Sequence, residues 1–238
     1  MAKLDTKSKL FISLVILAGL GALAGGLLHW ECRDLVRFFS SLMVTSLASW
    51  LKVSLPGVNG NMSVNLPFLL IAIAELSLGE AIVIAAVSTF IQCLPSADRR
   101  MQAVQVMFNV STLLLAVAAG NLVFLRAASL PNPVEKWLLT VMAGAAYLLA
   151  NTLPVAAVVS ITESKNLMQT WDRIFSLTFP YFGFGAAIAA VAVTALHYTG
   201  WQTPLLIAPL MVLTFRSYRR LFGKPQAAMQ MHSAAAAD

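Results

Sequence analysis

Glu75 and Glu80 are two carboxylates inside a stretch that otherwise reads as membrane, LPGVNGNMSVNLPFLLIAIAELSLGEAIVIAAVSTFIQCLPS, from Leu55 to Ser96. A carboxylate at membrane depth is costly, and it faces a bundle interior, a water-filled cavity or a partner. The pair flanks a break at Leu78-Gly79. If that turn reaches the outer surface, both carboxylates are interfacial and need no chemical role. If it does not, they are ligand-binding candidates, and Glu75, set back from the turn, is the one expected to be buried. Polar amides form a second set: Asn65, Gln92, Gln105, Asn109, Asn121 and Asn151. Each can bridge helices for about 0.6 kcal/mol. Asn109 and Asn151 lie well inside apolar runs and could also line a pocket. Pro154, one turn after Asn151, frees a backbone carbonyl such a pocket could use. The candidate ligand-binding residues are therefore Glu75, Glu80, Asn65, Asn109 and Asn151.

Nothing else in the chain has the spacing of a catalytic constellation. His29, His197 and His232 are scattered, and neither H-x-x-x-H nor C-x-x-C occurs. No serine sits in G-x-S-x-G, and the glycines from Gly19 to Gly26 lie in an apolar run rather than a phosphate-binding loop. Cys32 and Cys93 fit no metal spacing and predict no disulfide. The reading is non-enzymatic, with no metal site, and the sequence identifies no cofactor.

The elements that must position these residues are membrane helices. Of 238 residues, 59% are hydrophobic and 11% charged, against about 25% charged in soluble domains. A net charge of +6 is read as basic flanks of membrane segments rather than as a nucleic-acid surface. The expectation is all-α: a polytopic transmembrane bundle of about 7–8 segments, divided into a basic arm (1–9), one membrane domain (10–216) and a basic tail (217–238). Residues 10–30 are read as a retained first span rather than a signal peptide. In it, Gly21 with Gly25, and Ala18 with Ala22 and Gly26, form small-xxx-small faces. Residues 38–51 are short for a span and could instead lie in the interface, the span being favoured. Two short helices, 62–77 and 79–97, are expected to meet in a tight turn. Spans over 101–125 and 137–162 follow, then a polar loop from Glu163 to Arg173. A hairpin from Ile174 to Phe215 is interrupted at His197–Gln202.

With eight segments both termini lie on one side. Lys3, Lys7, Lys9, Lys52, Arg99, Arg100, Lys165, Arg173, Arg216, Arg219, Arg220 and Lys224 share that side, against Arg33, Arg37, Arg126 and Lys136 opposite. Twelve against four predicts cytoplasmic termini. Trp30, Trp50, Trp137, Trp171 and Trp201 all fall near expected span ends, as an interfacial belt requires.

Several stretches carry a resemblance: Ser54 to Phe90, MFNVSTLLLAVAAGNLVF (Met107 to Phe124), LLANTLPVAAVVSITESKNLMQTW (Leu148 to Trp171) and FRSYRRLF (Phe215 to Phe222). Together they resemble the multi-span bacterial membrane domains found upstream of HD-GYP and GGDEF output domains, sensory modules of cyclic-di-GMP signalling. The central hairpin is also similar, more weakly, to the substrate-binding S component of energy-coupling-factor vitamin transporters. The resemblance implies a bacterial inner-membrane sensor. The chain ends 22 residues after Arg216, so the expectation is a module without an output enzyme of its own. It would act through a separate output protein or other membrane subunits. Alternatives are an accessory subunit of a larger membrane complex and an S-component-like transporter subunit. Arg216, Arg219, Arg220 and Lys224 are candidates for lipid or partner contact, anionic headgroups contributing about 1 kcal/mol per basic residue; an orientation signal alone is the other reading.

Overall fold

The computed structural model describes residues 5–28, 30–54, 61–94, 101–130 and 134–199, with positions 209, 212 and 216. Among residues 5–199 that are described, seven helices and one short β-ribbon follow in order: α1 (Thr6–Leu28), α2 (Leu35–Trp50), β1 (Lys52–Ser54), β2 (Asn61–Ser63), α3 (Leu66–Glu75), α4 (Leu78–Cys93), α5 (Ala103–Ala128), α6 (Lys136–Glu163) and α7 (Leu167–Thr199). Four of them, α1, α5, α6 and α7, are long and apolar enough to cross a membrane. The other three are apolar but shorter. Positions 209, 212 and 216 are helical; the rest of the expected last segment, and Arg219, Arg220 and Lys224, lie outside the described residues.

The helices begin where local chemistry satisfies their first amides. Asp34 Oδ1 accepts the Arg37 amide at 3.1 Å and starts α2. Asn65 precedes α3, with Pro67 in its first turn, where a missing amide hydrogen costs nothing. Gln102 and Gln105 form a reciprocal cap on α5. Asn166 Oδ1 accepts the amides of Met168 (2.9 Å) and Gln169 (3.3 Å). That cap corrects the expected polar loop from Glu163 to Arg173. Only the turn at Ser164–Asn166 is non-helical, Ser164 adopting the left-handed conformation (φ 51°) that closes α6.

α3 is the centre of the molecule. It packs against α2, α4, α5, α6 and α7, and every residue from Leu66 to Ile73 is buried. Glycines let its neighbours come close. A Cβ on Gly185 would meet Leu66 at 2.8 Å, and one on Gly120 would meet Ile73 at 3.1 Å. α1 lies outside, against α4, α5 and α6. It buries Ser8, Ile12, Val15, Gly19 and Gly26 along one stripe and exposes Leu10, Leu14, Leu17, Leu20, Leu27 and Leu28. The close approaches use Gly19, against Ser111, and Gly26, against Ile82 and Gly79; Gly21 and Gly25 have nothing within 4 Å. The expected Gly21/Gly25 face is therefore not a contact within the described chain. Of the second face, Gly26 is used.

α2 is inverted relative to a soluble helix. Its hydroxyls Ser41, Thr45 and Ser49 are buried, while Val36, Phe39, Met43, Leu47 and Trp50 are exposed. In water an exposed face of that kind would be unfavourable; in hydrocarbon it costs nothing.

Candidate functional site

The structure separates the carboxylates and amides that the sequence put forward as one site. Glu75 closes α3 at one end of the bundle. Arg37, in the first turn of α2, donates through Nη2 to its Oε2, and Lys136, the first residue of α6, donates through Nζ to its Oε1. The Glu75 side chain is 10% exposed, against 29% for Arg37 and 50% for Lys136. One shielded carboxylate thus ties three helices together and neutralises part of the positive charge at that end. The carboxylate at the C-terminus of α3 opposes the helix dipole, and the two cations offset this. The sequence carries a signal for this: the charge distribution puts Arg37 and Lys136 on a common side, and Glu75 closes an apolar run that lies between them in the chain.

Glu80 is the more deeply buried of the pair, at 4% exposure, which reverses the expected order. Its Oε2 accepts from the Ser77 amide and the Ser77 hydroxyl, both at 2.9 Å, and the Glu80 amide donates to Ser77 Oγ at 3.3 Å. This is a capping box, S-x-x-E, readable in the sequence as Ser77-Leu78-Gly79-Glu80. It also corrects the position of the break. The chain turns at Leu76-Ser77, and Gly79 lies inside the first turn of α4, where a Cβ would come within 2.6 Å of the Gly26 carbonyl oxygen. Cys32 sits beside this cap. Desolvation, then a hydrogen bond and repulsion from Glu80, raise its thiol above the ordinary cysteine value.

Asn65 lies at the other end of α3 from Glu75, roughly 15 Å away by helical rise. It belongs to a neutral polar cluster that the sequence did not reveal. Ser63 Oγ donates to Asn65 Oδ1 at 2.7 Å, and Asn65 Nδ2 donates to Ser49 Oγ at 3.1 Å. Ser49 in turn donates to the Thr45 carbonyl at 2.9 Å, and the Tyr181 hydroxyl donates to the Ser63 carbonyl. Thr45, Ser49, Ser63, Asn65 and Tyr181 are all buried, and they come from α2, β2, the start of α3 and α7. No sequence spacing links Tyr181 to Ser63; only the packing of α7 on α3 does.

The remaining amides stand apart. Asn109 on α5 approaches Cys93 Sγ (3.9 Å) and Met101 Sδ (3.8 Å) through Nδ2, both weak acceptors. Asn151 is half-buried on α6, next to Thr152, whose hydroxyl receives the Trp171 indole N–H at 3.3 Å. Asn121 on α5 is buried. Among the described residues, Thr112 Oγ1 is the buried side-chain oxygen without a hydrogen-bond partner, and no cluster of three or more metal-ligating side chains occurs. Arg216 is exposed.

No family model, curated protein or solved structure matches this chain.

Proposed function

We propose that the chain is a non-enzymatic integral membrane module that binds a small, neutral, hydrogen-bonding molecule within its bundle and acts through a partner. The observation that carries this reading is the cluster around Asn65. Hydroxyls and an amide from four separate elements converge, without a charge among them, where the chain abandons helical form between α2 and α3. Irregular backbone at membrane depth is tolerated where it is enclosed by protein or lines a cavity, and interrupted helices build the binding sites of many membrane proteins. The sequence resemblance to sensory domains upstream of cyclic-di-GMP output enzymes points the same way. So does the weaker similarity to a transporter's substrate-binding component.

In this reading the chain is multi-pass in a bacterial inner membrane, with about eight segments and cytoplasmic termini. The ion-paired end, with Arg37 and Lys136, is then outside. The outward apolar face of α2 supports a spanning rather than an interfacial helix.

Native mass spectrometry of the protein released gently from its own membrane tests the proposal. A recurring small-molecule adduct, lost in Asn65→Ala but kept in Asn151→Ala, is the expected result. Copurification with an energising ATPase would instead indicate a transporter subunit. A second reading, an accessory subunit of a larger complex, is favoured by one observation. Gly21, Gly25 and Gly183 leave bare backbone facing outward, where another helix could approach. A fixed stoichiometric set of protein partners and no adduct would select it and overturn the binding module.

A further inference from the structure

We propose that the seam where α1, α5 and α6 meet binds a neutral, lipid-soluble molecule, whose oxygen is held by Thr112 and Asn151. The site shares no element with the Asn65 cluster, and it rests only on the chain being embedded in a membrane.

The orphaned hydroxyl of Thr112 is the first observation. A threonine inside a helix has a partner at hand, the carbonyl four residues back. Thr45, Thr89, Thr140, Thr152, Thr178 and Thr194 all donate to it. Thr112 does not. Its Oγ1 has no hydrogen-bond partner, although the residue is only 1% exposed. A valine of the same shape would spare the chain the desolvation of that hydroxyl. An acceptor brought by a ligand recovers the cost.

The second observation is where Thr112 lies. Phe108 of α5 forms an apolar cluster with Ile12 and Val15 of α1, and Leu115 of α5 and Val155 and Val158 of α6 pack against it. Thr112 stands four residues after Phe108 and three before Leu115, on the face they share. Asn151 stands four residues before Val155 and seven before Val158, on the same face of α6. The helices also match in level. A Cβ on Gly120 would lie 3.1 Å from the Ala143 carbonyl oxygen and 3.7 Å from the Tyr147 Cβ. With Phe108 beside Val155 and Val158, α5 and α6 run antiparallel, and Thr112 comes level with the turn Asn151–Val155. An orphaned hydroxyl and a half-buried amide thus face one apolar seam.

These surroundings define the ligand. Thr112 is the tenth residue of α5, roughly 14 Å inside its nearer end, beyond the reach of a charged headgroup held at the interface. The hydroxyl and the amide N–H both donate, so they suit a single acceptor, a carbonyl or ether oxygen on an apolar body. The entrance follows from packing. α1 is fastened to α5 by the close approach of Gly19 to Ser111, whereas towards α6 it meets side chains that are only partly buried. It is also the least buried of the four long apolar helices. The seam opens between α1 and α6, from the hydrocarbon.

Native mass spectrometry of the full chain in micelles tests the proposal, with dioctyl ketone and heptadecane as probes. Affinities are expressed per mole fraction in the detergent, so that partitioning cancels. The parent is expected to bind the ketone at least ~3-fold more tightly than the alkane, the value of one hydrogen bond within a membrane protein. That preference is expected to vanish in Thr112→Val, to weaken in Asn151→Leu, and to persist in Thr112→Ser and Asn65→Ala. Thr112→Val should melt no lower than the parent, because an unpaired hydroxyl is exchanged for a methyl. A lower melting temperature would mean that the hydroxyl is paired within the protein and would overturn the site. Equal affinity for ketone and alkane in the parent, or an unchanged preference in Thr112→Val, would overturn it as well. A preference lost in Asn65→Ala and kept in Thr112→Val would move the ligand to the Asn65 cluster.

Discussion

α1 and α3 are both uninterrupted apolar helices, yet they stand in opposite environments. α1 has 23 residues, and only 17% of its most hydrophobic window is buried. α3 has 10 residues, and eight in succession, Leu66 to Ile73, are buried. Hydropathy treats the two alike, because it measures transfer out of water and not the identity of what replaces water. α1 exchanges water for whatever apolar medium surrounds the bundle; α3 exchanges it for side chains of five neighbouring helices. Since lipid tails and leucine side chains are equally apolar, packing and not burial as such distinguishes them.

Truncation gives the largest expected contrast between the two. Leu69 is fully buried in α3, whereas Leu17 in α1 is 69% exposed. Leu69→Ala opens a cavity in the centre of the bundle and is expected to cost roughly 3 kcal/mol. Leu17→Ala leaves no cavity and should fall within about 0.5 kcal/mol of the parent. Equilibrium unfolding in mixed micelles reads both, and equal effects would mean that α3 is not the packed centre.

Adding a methyl probes the same distinction inside α1. A Cβ at Gly19 would lie 2.6 Å from the Ser111 Cα, so backbone must move, while Gly21 has nothing within 4 Å. Gly19→Ala is expected to destabilise by about 1–3 kcal/mol through overpacking, and Gly21→Ala to be neutral or slightly stabilising because alanine is the better helix former. Loss of oligomers or partners in Gly21→Ala, with the melting temperature unchanged, would place a second chain on that face.

A smaller effect is expected at the Glu75 end of α3. Glu75→Gln leaves Arg37 and Lys136 without their shared counter-charge. Removing one partner of a fully buried pair costs about 3–5 kcal/mol; the exposure of both cations lowers the expected loss to roughly 1–2 kcal/mol. Lys136→Gln should cost less, since Arg37 still holds Glu75. Thermal melting of both variants checks that order, and a larger loss in Lys136→Gln would contradict it.

The elements were legible in the sequence where their signals are local. The long apolar runs of α1, α5 and α6 appear where expected, and Ser77-x-x-Glu80 announces the start of α4 even though the break was placed two residues late. α7 began earlier than expected because the Asn166 cap outweighs the polar character of Gln169 to Arg173. The candidate site was less legible. Charge and polarity singled out Glu75, Glu80 and Asn65, but their spacing could not show that Glu80 caps its own helix. Nor could it show that Glu75 and Asn65 sit at opposite ends of α3. The other half of the Asn65 cluster, Ser49, Ser63 and Tyr181, consists of ordinary residues with no signature.

Composition and hydrophobic run length by themselves determined that this chain is helical and apolar enough to cross a membrane, because each helix satisfies its own backbone and those requirements are local. Tertiary structure alone decided which apolar helix is central, which glycines are contacts and which polar groups meet. Those outcomes depend on shape complementarity between segments far apart in sequence. The Tyr181 hydroxyl finds the Ser63 carbonyl across 118 positions only because bare backbone at Gly185 lets α7 settle onto the first turn of α3.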